Sequence, residues 1–559
     1  MSTTSTVGAA DVPGSDTGRL DESSRLRIAA VLAIIVLYTE VAPIQFTMVS
    51  AALQKIAPSF PQAGPNITWS LIVFGLIGAS ASPVIGKLSD IWGKKRIFLI
   101  AGVVFAAGCL LSATTDSWAV FLAGRCLQAT AAGMAIVAYG LIRDLLPHKY
   151  VPIGLGISAT GLGFSAAVAP VLAGYLVDQH SWRAMFWVLF AFVAVMTPLV
   201  AFVVPESKLR ARGGVDLTGA ALLSGGTASA LLYVSKGNEW GWSEPTTLAW
   251  LIGGLAALAL FVVVELRTRT PLMDMRLLFS PRVSLVLLTA VFAACLVGVH
   301  SYAVAYMVQT PPQSELETTI VSRTLDRVAQ STGRLLPPEL VHVVLTPGYH
   351  YGDGLSLMQF ALRIGLGQGL VAMLFGIVAG LLARRVGARL PLLAALTLFA
   401  LTTVALAVLP HTWPVFALSS LGFGAALGLY YACMPILMVE AVPPEQQGIS
   451  GGMLGATQSL STAIGTAVIT AFVSANPISA SVSIAGRPPQ DSTVPNVFAD
   501  RGYELGFWFG AAAAVCALVI ALVMKHGRTP ATGGAFTHEV ASPTDLSHST
   551  TRARTNPAR

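Results

Sequence analysis

An acidic side chain stands inside an apolar run that gives it no local reason to be there: Glu40 follows VLAIIVLYT and precedes VAPI. A carboxylate is costly to ionise in such surroundings, so Glu40 is a functional candidate by default, a group able to take up and release a proton. Gln45 follows five residues later, and Pro43 between them can kink a helix. Arg125 and Gln128 stand inside a second apolar run. Gln45 and Arg125 come at similar depth on two such helices, with Glu40 about 7.5 Å deeper at ~1.5 Å per residue. Arginine does not deprotonate and needs a carboxylate, carbonyls or water as partner. The expectation is that Arg125 spans the gap and biases the protonation of Glu40. His300 is a further titratable group in an apolar run, although a lone helical histidine commonly only packs. Tyr302, Tyr306, Tyr430, Tyr431 and Met434 offer an adaptable lining for a bulky apolar ligand.

Membrane-spanning helices must position these residues. Of 559 residues 54% are hydrophobic and 11% charged, and the mean hydropathy is +0.70. That apolar surface exceeds what one globular core hides, so lipid is the solvent for most of it. Fourteen stretches, each about 19 to 27 residues long, can cross a ~30 Å hydrocarbon core as helices. They begin near Ile28, Ile67, Ile97, Trp118, Ile153, Ala184, Leu217, Thr247, Ser284, Leu357, Leu390, Pro414, Gln447 and Glu504. The first 27 residues contain no cleavable signal pattern and read as a disordered tail, as does 526–559.

The net charge of +7 reflects orientation rather than nucleic-acid binding. With the N-terminus inside, 24 of the 34 Lys and Arg fall on cytoplasmic segments, the bias of an inner or plasma membrane protein with both termini cytoplasmic. The five cysteines fall singly in hydrophobic spans without CxxC spacing, so neither a disulfide framework nor a metal site is expected. No Walker A, HExxH or nucleophile-elbow motif is present, which argues against an enzyme, and no cofactor is expected.

An internal repeat organises the chain. GKLSDIWGKKR follows the second span and GLLARRVGAR the tenth, so that Gly86, Asp90 and Gly93 recur as Gly380, Arg384 and Gly387. Such a repeat fits two like bundles with substrate held between them near mid-membrane. The N-terminal bundle then covers 28–204 and the C-terminal bundle 283–525. Residues 217–266 form an inserted helix pair between charged linkers.

On these residues the chain resembles the major facilitator superfamily, and within it the fourteen-helix drug:proton antiporter branch, over roughly residues 28 to 525. The signature GxxxDxxGRKR is matched at Gly86, Asp90, Gly93, Lys95 and Arg96, with Lys94 in place of an arginine. RxxQG appears as Arg125 and Gln128, with Ala129 in the glycine position. GPxxGG is kept in part at Pro170 and Gly174, with Gly161 and Gly163 earlier in the same span. Trp182, Arg183, Asp216, Gly219, Gly448, Ser450 and Gly451 also resemble that branch. Two features depart from it: Gln45 occupies a position that is usually acidic, and about 42 residues, Thr310 to Tyr351, are inserted outside, with a short helix expected near Glu315 to Gln330.

The resemblance implies an all-α polytopic fold of two pseudo-symmetric six-helix bundles plus an inserted pair. It implies exchange of an amphipathic small molecule for protons by alternating access, export rather than uptake. Glu40 and Arg125 would couple protons, Gln45 and Gln128 would line the cavity, and Asp90, Lys94 and Arg96 would act as a gate, with Asp90 capping a helix or pairing across the bundle seam. The 310–351 loop would shield the outer opening or dock an extracytoplasmic partner. The rival readings are an uncoupled facilitator or uptake carrier, and a membrane assembly partner that transports nothing.

Overall fold

The computed structural model describes residues 20–530 except Glu22, 148–149, 209, 211–213, 215, 269–270, 333–335, 443–446 and 485–487, so the tails at 1–19 and 531–559 lie outside the described residues. The face carrying the first and last described residues is termed inner and the opposite face outer. Among the described residues fourteen long helices run between them. The first six are α1 (Arg25–Ala51), α2 (Asn66–Trp92), α3 (Lys94–Thr114), α4 (Trp118–Leu145), α5 (Val151–Gln179) and α6 (Trp182–Val203). Next come α7 (Leu217–Trp240) and α8 (Pro245–Arg267), then α9 (Pro281–Gln309), α10 (Leu357–Val386), α11 (Arg389–Val408), α12 (Trp413–Glu440), α13 (Gln447–Ser474) and α14 (Asp500–Val523). Among the described residues thirteen are long and apolar enough to cross a membrane, and the 29-residue α5 completes the fourteen. Each starts within four residues of the position expected from the apolar runs.

The repeated motif ends two equivalent helices in the same way. Gly93 (φ 115°) closes α2 and Gly387 (φ 84°) closes α10, both in a backbone region that side chains with a Cβ disfavour. The two bundles meet along α2 against α13 and α5 against α10. Hydrogen bonds join them at the outer ends. Ser50 Oγ donates to the Ser301 carbonyl (2.8 Å) and Gln309 Nε2 to that of Ala51 (2.8 Å). Gln54 Nε2 donates to the Tyr306 carbonyl (2.6 Å) and to Thr310 Oγ1 (2.8 Å), and the Met358 N–H donates to Asp178 (2.9 Å). At Gly380, Gly451 and Gly455, towards the inner ends of α10 and α13, no protein atom fills the space where a Cβ would point.

The inserted pair docks through α7. Trp69 Nε1 donates to Ser235 Oγ (3.0 Å) and Asn238 Nδ2 to the Ala471 carbonyl (2.6 Å). Ile72, Leu76, Leu231, Ala463 and Ala467 pack between α2, α7 and α13.

The all-α expectation needs one correction, outside the membrane. The chain between α9 and α10 contains the expected helix, Gln313–Thr332, but also strand β1 (Val341–Thr346). Strands β2 (Pro477–Ile484) and β3 (Gln490–Phe498) come from the loop before α14, and the three pair antiparallel in the order β1-β2-β3. Two loops far apart in sequence thus satisfy each other's backbone groups. Tyr351 ties this cap to the membrane part, its hydroxyl donating to the Phe498 carbonyl (2.7 Å) and its ring lying 5.1 Å from that of Tyr503.

At the chain ends, the Leu20 N–H donates to the Leu145 carbonyl and α1 begins at Arg25, so ordered chain starts ahead of residue 27. Gly527 accepts the Arg389 N–H (3.0 Å), which fastens the first residues after α14 to the start of α11.

Candidate functional site

The site is built on α1, α4 and α5. Pro43 cannot donate to the Thr39 carbonyl, and α1 breaks there, its two regular segments meeting at Glu40. The Glu40 side chain is 5% exposed and turns towards α5. Ser165 Oγ donates to Glu40 Oε2, and Glu40 Oε1 lies over the bare face of Gly161, where a Cβ would collide with it. The glycine of the antiporter-like span thus leaves room for a carboxyl group that any larger residue would displace. No arginine or lysine forms an ion pair with Glu40 among the described residues.

Arg125, fully buried on α4, has a separate set of partners. Its Nε donates to the Ser70 carbonyl (2.9 Å) and its Nη1 to Gln128 Oε1 (2.6 Å), and its guanidinium carbon lies 5.5 Å from the Phe74 ring centre. Gln128 Oε1 also accepts from Gln45 Nε2 (2.5 Å), and Gln128 Nε2 donates to Ser112 Oγ (3.1 Å). Arg125 Nη2 and Gln45 Oε1 are buried without a hydrogen-bond partner among the described residues. The expectation that Arg125 reaches Glu40 is corrected: carbonyl, amide and aromatic neighbours receive the guanidinium, and a glutamine holds the position where a carboxylate would neutralise it. Gln45 and Gln128 do join Arg125 in one network.

Other candidates are dispersed. His300 stacks on Phe423 (3.7 Å between ring centres, 4° between planes) with Ser420 Oγ 3.5 Å from Nε2, inside the C-terminal bundle. Tyr430 accepts from Gln458 Nε2 (3.1 Å) and is fully buried, as is Met434. Tyr302 and Tyr306 lie under the outer sheet, and the Tyr306 hydroxyl donates to the Asn496 carbonyl (3.1 Å). Tyr302 and Tyr306 belong to the core cluster that also holds Val41, Ala42 and Met48 of α1, whereas Tyr430 and Met434 belong to a second cluster. Pro170 packs against Gly365 of α10, and Gly174 approaches the backbone of Met358.

The inner motif is also rearranged relative to expectation. Lys94 Nζ binds Asp90 (2.9 Å) and Asp144 of α4 (3.0 Å), with side-chain exposures of 5% for Lys94 and 1% for Asp144. Asp90 therefore pairs within its own bundle and not across the seam. Asp144 also accepts from Ser207 Oγ (2.8 Å), and Glu206 receives the N–H groups of Lys95 (3.0 Å) and Arg96 (3.2 Å) at the start of α3. Gly86 faces Ile136 of α4. Ser165, Asp144 and Glu206 are the participants that sequence reasoning missed. The only signal for Asp144 was a charged pair, Arg143 and Asp144, closing an apolar run.

A family model described as Major Facilitator Superfamily matches residues 35–320 and 339–557. The multidrug resistance protein Stp of Mycobacterium tuberculosis (strain CDC 1551 / Oshkosh) is 25% identical over 433 residues, 77% of this chain and 72% of that protein. The probable actinorhodin transporter of Streptomyces coelicolor (strain ATCC BAA-471 / A3(2) / M145) is 27% identical over 421 residues, 72% of this chain and 65% of that one. In fold, the xylose transporter XylE from E. coli, solved in a partially occluded inward open conformation, matches with a TM-score of 0.54 at 13% identity, over 89% of this chain and 97% of that one. With two like bundles, a repeated inner motif and a family match over most of its length, this chain belongs to the major facilitator superfamily and is a multi-pass membrane transporter, not an enzyme.

Proposed function

We propose that the protein exports an amphipathic small molecule, drug-like or a lipophilic metabolite, across the cell membrane in exchange for protons, with both termini in the cytoplasm. The observation that carries this reading is Glu40: a carboxyl group enclosed between α1 and α5, held by one hydroxyl and by no cation among the described residues. A buried carboxyl group with so little fixed countercharge can change protonation state as its surroundings open and close. Its neighbour α5 packs on α10 of the other bundle, so rocking of the bundles acts on the wall that encloses it. Relatives named for multidrug resistance and for an actinorhodin transporter support the substrate class. The hydrogen bonds at the outer ends and the unfilled glycine faces towards the inner ends support an arrangement closed outside.

In this reading the Arg125–Gln128–Gln45 network is a polar wall beside the pathway and not the direct partner of the proton site. The test is transport of a panel of lipophilic cations, neutral dyes and organic anions in proteoliposomes under an imposed pH gradient. At least one compound should move uphill with the wild type, and Glu40→Gln should leave only downhill flux. Full uphill transport by Glu40→Gln would remove Glu40 from the coupling role. Gradient-independent flux by the wild type would favour a facilitator.

A further inference from the structure

The inserted pair meets α2 near the inner face through charged groups that the pathway above does not use. Asp216 caps α7, its Oδ1 accepting the Gly219 N–H at 2.7 Å. Glu265, near the end of α8, accepts the Met273 N–H through Oε2 at 3.1 Å. The other oxygen of each, Asp216 Oδ2 and Glu265 Oε1, is buried with no hydrogen-bond partner among the described residues, and the residues are only 8% and 3% exposed. Both oxygens border the same recess: a Cβ at Gly219 would stand 2.8 Å from Asp216 Oδ2 and 2.5 Å from Glu265 Oε1. Lys87 of α2 approaches from the third side, its ammonium donating to the Pro271 carbonyl at 2.9 Å and close enough for its charge to act on both carboxylates.

A carboxylate oxygen only accepts, so two that border one enclosed recess repel each other and leave both unsatisfied. One proton between them supplies the missing donor and removes one charge, and Lys87 offsets the charge that remains. We propose that Asp216 and Glu265 form a second proton-binding site at the inner face, with one proton held in the recess that Asp216 Oδ2 and Glu265 Oε1 border. The proton comes from the inner water and returns to it, so no other reactant is involved. The site joins α7, α8 and the inner end of α2, and it gives the inserted pair a chemical role separate from Glu40.

The experiment is infrared spectroscopy of the full-length protein in lipid nanodiscs, carried out in a Glu40→Gln background so that Glu40 makes no contribution. A protonated-carboxyl band sensitive to D2O should be present at neutral pH, and it should vanish in both Asp216→Asn and Glu265→Gln. In each variant the new amide supplies a fixed N–H donor to the opposite carboxylate, so no proton is needed. Both variants keep the local folding contacts: asparagine caps a helix as well as aspartate does, and a glutamine carbonyl still accepts the Met273 N–H. The proposal is overturned if the parent shows no such band, if the band persists in either variant, or if adding Na+ at fixed pH removes it, which would mean a metal cation occupies the recess. Loss of uphill export in the wild type would leave this band in place, so failure of the transport reading and failure of this one are distinguishable.

Discussion

Replacing Gln54 by leucine tests whether the outer ends of the bundles are held by the contacts described. Gln54 Nε2 makes two hydrogen bonds to the opposite bundle, to the Tyr306 carbonyl and to Thr310 Oγ1. A neutral hydrogen bond contributes about 1 kcal/mol net, so the pair contributes about 2 kcal/mol to the outer-closed arrangement. The Tyr306 carbonyl still accepts from the Thr310 N–H and Thr310 Oγ1, so no unsatisfied group adds to that figure. About 2 kcal/mol corresponds to a roughly 30-fold shift towards the outer-open arrangement. The assay is labelling of Ala51→Cys by a membrane-impermeant maleimide added to the face that carries the Gln313–Thr332 helix, read by peptide mass spectrometry. Ala51 is buried in the closed arrangement, and only its carbonyl takes part in the Gln309 contact. Gln54→Leu should raise the labelling rate by one to one and a half orders of magnitude, following that roughly 30-fold shift. An unchanged rate would refute the view that these hydrogen bonds hold the outer side shut.

Three further outcomes concern other parts of the molecule. Lys94→Met leaves Asp144 buried with Ser207 and Arg143 as its remaining partners among the described residues, which should cost about 3 kcal/mol in thermal unfolding, and adding Asp144→Asn should recover most of it. Gly161→Ala places a methyl group on the Glu40 carboxyl group, so uphill transport should be lost while yield and downhill flux persist. Burial, with Arg282 beside it, pushes the His526 imidazole down to about 4 from its usual 6.5. The unfolded chain therefore binds a proton that the folded one refuses between those values, so stability is complete above pH 6.5 and is lost as pH falls towards 4. His526→Gln should flatten that part of the stability profile, measured by intrinsic fluorescence during heating.

The spans were legible because a membrane helix needs an uninterrupted apolar run and satisfies its own backbone. The outer sheet was not, since VHVVLT, PISASVSI and QDSTVPNVF are short, lie in loops far apart in the chain, and gain their strand character only by pairing with one another. Glu40 was visible by its type alone, as an acid within lipid depth. Its partner Ser165 was not, because a serine in a Gly- and Ala-rich span has many bland explanations. Arg125 and Gln128 were visible as polar residues within one apolar run, and the structure joins them with Gln45 in one network. Depth arithmetic could not show which way the Arg125 side chain turns, and it turns to Ser70 on α2 instead of towards Glu40. Likewise the gate motif does not reveal what fixes Lys94, because the buried Asp144 comes from another helix and carries no motif.

Proton exchange at Glu40 is measured most directly by the number of protons released to a weakly buffered medium when purified protein binds a compound that it transports. If Glu40 gives up its proton for substrate, the wild type should release protons on binding, and Glu40→Gln, compared at equal occupancy, should release none. Equal release by the two proteins would contradict that role, because the exchanged proton would then come from a group other than Glu40.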